Sequence, residues 1–312
     1  MAELTESTET IEVSGVAGAT GPAPAGRPLS IAYSPCPNDT FVFHAWAHGL
    51  IPDAPGIDVT FADIDVTNGL LGGPGRESGR GLDVMKISYA ALPDALAEYE
   101  LLPCGGALGR GCGPLVLTSG GSGAGAADGA ADGRSLAGRT VAVPSLQSTA
   151  YLLFQRWIEQ RLPGGAADLA EVRVLPFHEI MPAVRAGQVD AGLVIHEARF
   201  TYPDFGLTAL ADLGEWWERE TGAPIPLGAI VARRSLGRAA LDRLAGVVRA
   251  SVEYAFAHPD ASRDYVLAHA QEMDPQVAKA HIALYVNEFT LDLGPDGRAA
   301  IDRLLGGGYA SS

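Results

Sequence analysis

Residues 29–50 read LSIAYSPCPNDTFVFHAWAHGL and predict a strand, a shaped turn and a helix in direct succession. The apolar run at residues 29–33 is typical of a buried strand, and the apolar pattern at residues 41–50 is typical of a helix. The turn between them contains two prolines, which fix φ and bias the preceding residues toward extended backbone. This unit of strand, turn and helix is the first building block of an α/β fold.

The turn at residues 34–40 has a structural and a functional interpretation. Asn38, Asp39 and Thr40 are residue types that cap helices, and we predict that they cap the helix carrying Phe41. The N–H groups at a helix start also attract anions, so the turn can contact a ligand. The sequence leaves open whether the turn only stabilises the first unit or also binds a substrate.

The same alternation of strand and helix patterns continues along most of the chain. Strands are predicted at residues 30–33, 58–61, 84–87, 115–118, 140–143, 172–175, 191–195 and 227–232. Helical patterns separate most of them, which indicates βαβ units and parallel sheets. Beyond Arg234 only helical patterns remain, with an apolar stripe from Leu241 to Phe256 and a second stretch at residues 277–289.

Length and charge limit the kinds of partner. The 312 residues allow two domains of ordinary size or one large one. The 22 basic and 37 acidic residues give a formal net charge of −15, which argues against a nucleic-acid backbone or an anionic membrane as partner. We expect a small-molecule substrate, and an anionic one would need a local positive pocket. Assembly into an oligomer remains open.

Cysteine usage and the N-terminal sequence predict a cytoplasmic location. Cys36, Cys104 and Cys112 are odd in number and lack metal-ligand spacing, which favours a reducing compartment. The first 15 residues, MAELTESTETIEVSG, are acidic and polar and do not form a secretory signal. No apolar run is long enough to cross a bilayer. Residues 1–27 are interpreted as a disordered leader, and residues 119–134 (SGGSGAGAADGAADGR) as a flexible loop.

Two segments with similar patterns suggest a cleft. LDVMKIS at residues 82–88 and VDAGLVIHE at residues 189–197 each place an Asp before a buried strand and polar residues at its carboxyl end. In open α/β sheets, ligands bind outside the carboxyl ends of the strands. Two lobes built in this way, facing each other, would enclose a binding cleft.

His196 is the sharpest catalytic candidate, because an apolar strand delivers an imidazole to the expected cleft. The structural alternative is a strand-end histidine that bonds to a neighbouring backbone group. A zinc-protease motif is excluded, since Phe200 stands where the second histidine of His-Glu-x-x-His would be. Glu197 is a weak candidate for orienting the imidazole, because neighbours on a strand point to opposite faces.

Hydroxyl groups and a lysine mark the other strand ends. Lys86 can offer charge to a carboxylate, and Ser88 can cap the helix that follows. Ser148 and Thr149 repeat this arrangement at the start of a helix in the second lobe. In each case capping or solvent exposure is the structural alternative to substrate binding.

The glycine-rich segment at residues 105–114, GGALGRGCGP, is too dense in glycine for an ordinary strand. It does not match a dinucleotide fingerprint, because Pro114 and a strand follow where a helix should begin. Arg110 is either a ligand-binding arm or a solvated loop charge. Cys36 is a conceivable nucleophile, but no activating histidine lies near it in sequence, so a buried apolar role is favoured.

Six motifs in order resemble the 1,4-dihydroxy-6-naphthoate synthase family of the futalosine route to menaquinone. They are SPCPNDTFVFHAWAHG, MKISYAAL, GGALGRGCGPL, AVPSLQSTAYLL, GLVIHEARFTYPDFGL and PIPLGAIVARRSL. The resemblance covers residues 28 to the C-terminus, apart from the tract at residues 119–134. It implies a lyase that splits cyclic dehypoxanthinyl futalosine into 1,4-dihydroxy-6-naphthoate and a sugar-derived fragment, with no metal or organic cofactor.

The resemblance also implies an α/β fold like that of the type II periplasmic binding proteins, with two lobes joined by two crossing strands. The expected large lobe comprises residues 28–115 and 228–312, and the small lobe residues 116–227. The family's proton acceptor falls on His196. Its substrate contacts fall on Lys86, Ile87, Ser88, Ser148 and Thr149, to which the residue-level reasoning adds Asn38 and Arg110.

One position departs from the family pattern, since Gln147 stands where some relatives are expected to carry histidine. Two other functions remain as alternatives. One is a non-catalytic solute-binding protein, which the fold alone would allow; the absence of a secretory signal and of a lipid-anchor cysteine argues against it. The other is chorismate dehydratase, a related enzyme of the same pathway, against which the SPCPNDTF and IHEARFTY motifs argue.

Overall fold

A computed structural model describes residues 27–71, 82–120, 133–270 and 274–309. Most of the leader and of the glycine-rich tract predicted at residues 119–134 therefore lies outside the described residues. The described chain folds into two mixed β-sheets with helices packed against them. None of its helices is long and apolar enough to cross a membrane.

Eleven strands are present in the described residues. They are β1 (Leu29–Tyr33), β2 (Ile57–Phe61), β3 (Val84–Ser88), β4 (Tyr99–Leu101), β5 (Ala107–Gly109), β6 (Leu115–Ser119), β7 (Thr140–Val143), β8 (Glu171–Val174), β9 (Ala191–Val194), β10 (Leu207–Asp212) and β11 (Ile225–Arg233). The first sheet has the order β2-β1-β3-β11-β4, with β5 also paired to β11, and the second has the order β10-β6-β9-β7-β8. The chain thus crosses between the sheets twice, after β5 and after β10.

The helices of the described residues follow the same two-part division. They are α1 (Pro37–Ala47), α2 (Ile64–Gly69), α3 (Leu92–Ala95), α4 (Thr149–Glu159), α5 (Phe177–Arg185), α6 (Ala198–Thr201), α7 (Leu213–Thr221), α8 (Arg238–Ala257), α9 (Arg263–His269), α10 (Pro275–Tyr285), α11 (Glu288–Leu291) and α12 (Gly294–Leu305). Helices α8, α9 and α10 all pack against α1. The C-terminal helices therefore cover the first sheet and bring distant sequence to its edge.

The expectation of parallel sheets is only partly correct. Strands β1, β2 and β3 pair in parallel, as do β7, β8 and β9. In contrast, β11 runs antiparallel to β3, and β6 runs antiparallel to β9. The strands that follow the two crossings enter their new sheets in the opposite direction, so each sheet is mixed.

The prediction that residues 38–40 cap the first helix is wrong. Helix α1 begins at Pro37, and Cys36 occupies the N-cap position with extended backbone. Proline suits the first helical position because its fixed φ matches the helix and its missing N–H is not needed there. The three predicted capping residues are therefore buried in the first helical turn, and Thr40 Oγ1 donates a hydrogen bond to the Cys36 carbonyl (3.1 Å).

Apolar packing holds each sheet to its helices. In the first part, Tyr33 of β1 stacks on Phe43 of α1 with ring centroids 4.5 Å apart. In the second part, Phe154 and Trp157 of α4 are completely or almost completely buried. The predicted stripe on α8 packs in the core of the first part at Leu241, Leu244, Val248 and Val252, whereas Phe256, one residue from the helix end, is 44% exposed.

Candidate functional site

A cleft lies where the two sheets face each other. Clefts lined by apolar groups with a few polar side chains are common binding sites for small molecules. Both parts of the chain contribute to its walls. The residues lining the cleft are Asn38, Ile64, Lys86, Ser88, Ala107, Cys112, Pro114, Ser148, Thr149, Ala150, Ile195, His196, Leu227, Gly228 and Tyr285.

Lys86 places a buried positive charge in the wall formed by the first sheet. Its ammonium group forms an ion pair with the carboxylate of Asp39, and both side chains are almost completely buried. Asn38 donates from Nδ2 to Asp39 Oδ1 (2.8 Å), and the backbone N–H of Ser34 donates to Asp39 Oδ2 (3.3 Å). The SPCPNDT turn therefore supplies the counter-ion of Lys86, which the sequence analysis did not foresee.

Ser88 is held by Asn68 rather than acting as a helix cap. Its backbone N–H donates to Asn68 Oδ1, and its hydroxyl accepts from Asn68 Nδ2, each at 2.9 Å. A short 3₁₀ turn follows Ser88, without a side-chain cap bond. The capping prediction for Ser88 is therefore wrong, since the hydroxyl is engaged by α2. No sequence motif pointed to Asn68.

Ser148 and Thr149 begin α4 and have different partners. Ser148 caps the helix: its Oγ accepts from the N–H of Tyr151 (3.1 Å). Thr149 Oγ1 donates to the carbonyl of Leu227 (3.0 Å) and accepts from the N–H of Ala90 (3.1 Å). Both partners of Thr149 belong to the first sheet and its loop, so this hydroxyl ties the two sides of the cleft together.

Three other positions from the sequence analysis do not contribute to the cleft wall. The side chain of Ile87 is completely buried in the apolar core. Arg110 is more than half exposed, and it contacts Glu218 (3.4 Å) and the carbonyl of Gly222 (3.0 Å). Gln147 is exposed, and its carbonyl lies 3.4 Å from Asn68 Nδ2. Solvent and α7, rather than the cleft, surround Arg110.

His196 enters the cleft from the carboxyl end of β9. The strand ends at Val194, and His196 adopts a left-handed backbone conformation with φ of +52°. Burial, together with the positive charge of Lys86, lowers the pKa of His196 to about 3. The imidazole is therefore neutral near pH 7, as a general base requires.

Cys36 is the direct partner of His196. Its Sγ lies 3.1 Å from His196 Nδ1, across the cleft from α1 to the loop after β9. Burial raises the pKa of the Cys36 thiol. The pair is therefore a neutral thiol beside a neutral imidazole, and not an activated thiolate. Local sequence could not indicate this contact, because 160 residues separate the two side chains.

Glu197 and His281 form a second contact across the cleft. Both side chains are buried, and His281 Nδ1 lies 3.9 Å from Glu197 Oε2. The other ring nitrogen, Nε2, lies 3.0 Å from Asn38 Oδ1. Burial, with smaller contributions from His196 and Lys86, lowers the pKa of His281 well below its usual range. His281 belongs to α10 and was not identified from the sequence.

The thiol, imidazole and carboxylate of Cys36, His196 and Glu197 lie within 4.8 Å of one another. Their chemistry resembles that of a transition-metal ligand set. However, a metal cation would bind the thiolate form of Cys36, and the raised pKa of this thiol disfavours that form. The positive charge of Lys86, which already lowers the pKa of His196, would also repel a cation here. We therefore interpret these groups as the hydrogen-bonded pair Cys36–His196 with the Glu197 carboxyl group close by.

Comparison with a family model places this site in a known context. Residues 29–310 match the family described as menaquinone biosynthesis. The chain belongs to this menaquinone biosynthesis family. The match confirms the relationship predicted from the six motifs.

Two curated relatives of the family are both named 1,4-dihydroxy-6-naphthoate synthase. The one from Streptomyces coelicolor is 65% identical over 277 residues, which cover 89% of this chain and 91% of the relative. The one from Thermus thermophilus is 44% identical over 278 residues, which cover 89% of this chain and 92% of the relative. Both alignments span most of the chain.

Solved structures confirm the predicted fold class. A protein from Archaeoglobus fulgidus aligns with a TM-score of 0.77 at 29% identity, covering 90% of this chain and 97% of that protein. The periplasmic aliphatic sulphonate binding protein of Escherichia coli aligns with a TM-score of 0.59 at 13% identity, covering 89% and 85% respectively. The menaquinone biosynthesis family member described here thus has the fold of a periplasmic binding protein.

Proposed function

We propose that this chain is a 1,4-dihydroxy-6-naphthoate synthase of menaquinone biosynthesis. The structural observation that carries the proposal is a neutral, half-buried His196, which lines the cleft just beyond the carboxyl end of β9. The 65% identity to a relative of that name supports the same conclusion. The substrate would be cyclic dehypoxanthinyl futalosine, and the reaction a lyase cleavage that releases dihydroxynaphthoate.

His196 is the proposed proton acceptor. Taking a proton from the substrate at Nε2 requires that Nδ1 carry the ring proton and donate it toward Cys36 Sγ. Proton removal then drives cleavage, because the product ring becomes aromatic. A well-placed base of this kind contributes about 10²- to 10⁴-fold to the rate.

The other cleft residues are proposed to bind the substrate and fix its orientation. Lys86 supplies positive charge, Ser88 and Ser148 supply hydroxyls, and Asn38 supplies an amide. Because Asp39 already neutralises Lys86, this positive charge adds specificity for an anionic group rather than a large net attraction. We retain Ile87 and Arg110 as sequence-based proposals without a structural contact in the cleft.

Closure of the two lobes would complete the site. We propose lobes at residues 28–115 with 228–312 and at residues 116–227, as the sequence suggests. The contact from Ala90 to Thr149 and that from Cys36 to His196 both cross between them. Closure around a bound substrate would orient the base and exclude water.

The test is to incubate the purified protein with cyclic dehypoxanthinyl futalosine and to detect dihydroxynaphthoate by chromatography and mass spectrometry. Chorismate, supplied in parallel, tests for the dehydratase activity. We expect turnover of the first compound only. Conversion of chorismate alone, or tight binding of either compound without turnover, would show that the assignment is wrong.

The role of His196 is tested with His196→Ala, and with His196→Gln as a variant of similar size. We expect both variants to fold, as judged by circular dichroism, and to lose turnover by about 10²-fold or more. Full activity in either folded variant would contradict the assignment of His196 as the base.

A further inference from the structure

His281 and Glu197 form a buried contact that none of the proposed steps uses. Glu197 follows the proposed base directly in sequence, and His281 lies on α10, on the opposite side of the cleft. Their closest atoms, Nδ1 and Oε2, are 3.9 Å apart, just beyond hydrogen-bond length. The inference below rests on the proposed function, because it concerns the placement of the proposed base.

The position of the proton on His281 follows from its neighbour Asn38. Asp39 pairs with Lys86 as a carboxylate, and a carboxylate can only accept hydrogen bonds. The NH₂ end of the Asn38 amide, Nδ2, therefore faces Asp39 and donates to it. The amide oxygen of Asn38 must then face His281, and it can only accept a hydrogen bond. Nε2 of His281 is therefore the donor in this 3.0 Å contact, and Nε2 carries a proton.

Nδ1 of a neutral His281 consequently presents a lone pair toward the carboxyl group of Glu197. Two acceptors facing each other in a buried site repel each other and cannot bond. A single proton between them removes this conflict, whether it is held by the carboxyl group or by the ring. A slight rotation of the carboxyl group would bring the two atoms within hydrogen-bond distance.

The charged and titratable neighbours decide which partner holds that proton. Lys86 lies on β3, Cys36 at the start of α1 and His196 on the loop after β9. Tyr285, on the same helix as His281, packs against its ring with centroids 4.5 Å apart and the ring planes tilted by 39°. The positive charge of Lys86 and the burial of the ring both disfavour an imidazolium, and the pKa of His281 is lowered. The carboxyl group of Glu197 is the remaining holder.

We propose that Glu197 and His281 share one proton, held on the Glu197 carboxyl group, and form a positioning pair for the base His196. The left-handed backbone at His196 turns the imidazole into the cleft and turns Glu197 toward α10. The contact of Glu197 with His281 fixes this turn from one side. The contact of His196 with Cys36 fixes it from the other.

Two substitutions of similar length separate a shared proton from simple packing. Glu197→Gln keeps the shape and provides an N–H group that donates to His281 Nδ1 in place of the carboxyl proton. Glu197→Met keeps the length but provides no donor. We expect Glu197→Met to lower kcat by about 10²-fold with a smaller change in KM, because a base displaced by about 1 Å loses that much rate. We expect Glu197→Gln to restore most of this loss.

The pH profile distinguishes the two states of the pair. In the parent protein we expect kcat to fall at high pH as the Glu197 carboxyl group loses the shared proton. Glu197→Gln has no carboxyl group to ionise beside His196, so we expect no such fall in this variant. Equal kcat values for the parent, Glu197→Gln and Glu197→Met would overturn the proposal. Equal losses in both variants would show that a negative charge, and not a shared proton, is required.

A measurement independent of turnover tests the pair even if the proposed function fails. In protein labelled with ¹⁵N-histidine, we expect the His281 signals, identified by their loss in His281→Gln, to report a neutral ring protonated at Nε2 at pH 7. A ring protonated on both nitrogens, or on Nδ1 alone, would overturn the proposal. Lack of turnover by the parent protein with this spectrum intact would reject only the proposed function.

Discussion

Replacing Asp39 with asparagine removes the counter-ion of Lys86 within the cleft wall. The side chains of both residues are nearly inaccessible to solvent, with 1% and 8% of their surface exposed respectively. Asparagine preserves the shape of the side chain, but it leaves an ammonium group buried without a compensating charge. Breaking a buried pair in this way lowers the free energy of unfolding by about 3–5 kcal/mol.

This loss is large relative to the stability of an ordinary domain, which is about 5–15 kcal/mol. The matched control is Asp242→Asn, which breaks the pair with Arg238 on α8, where both side chains are 63% exposed. An exposed pair contributes about 0–1 kcal/mol. The same chemical change should thus differ several-fold in effect, solely because of burial.

The assay is equilibrium unfolding in urea, monitored by circular dichroism. The slope and the midpoint of each unfolding curve are fitted together. The double variant Asp39→Asn with Lys86→Met should recover part of the lost stability, since no buried charge remains unpaired. The reasoning is refuted if Asp39→Asn costs no more than Asp242→Asn, or if the double variant is less stable than Asp39→Asn alone.

Three further predictions follow from the structure. The unfolded chain protonates His196 below about pH 6.5, but the folded protein does so only below about pH 3, so the free energy of unfolding should fall as the pH is lowered through this window. Chemical unfolding of His196→Gln should show a shallower fall; an identical slope would contradict the lowered pKa. Gly192→Ala should destabilise the protein by about 1–3 kcal/mol, because the added methyl group would approach two side chains of α5 within 2.6 and 2.8 Å. Gly246→Ala, which has open space on α8, should instead stabilise it by about 0.5–1 kcal/mol, and thermal melting of both variants checks the contrast. Ser148→Ala should cost about 1 kcal/mol in urea unfolding through loss of the α4 cap, and an unchanged midpoint would contradict the capping role.

The elements that sequence patterns predicted best are the buried ones. All eight predicted strands are present within one or two residues, because runs of apolar residues between turn signals carry a strong local signal. The three strands β4, β5 and β10 were missed. Two of them have only three residues, and β5 lies in the glycine-rich segment where a strand was considered implausible.

The candidate site was predictable at its strand ends but not in its pairings. Local patterns identified Lys86, Ser148 and His196, and the structure brings all three to one cleft. They gave no indication of Asn68 or His281, which lie on helices without a recognisable motif and hold the cleft residues Ser88 and Asn38. Side-chain pairing between distant segments depends on the tertiary fold, and short-range periodicity contains no information about it.

The hydroxyl of Thr149 has a consequence for inhibitor design. It accepts one hydrogen bond from, and donates another to, the main chain on the opposite side of the cleft. A compound that displaces this hydroxyl from both partners would remove the connection and, on the lobe closure proposed above, would keep the two sides of the cleft apart. Such a compound would prevent His196 from meeting Cys36 without imitating any part of the substrate.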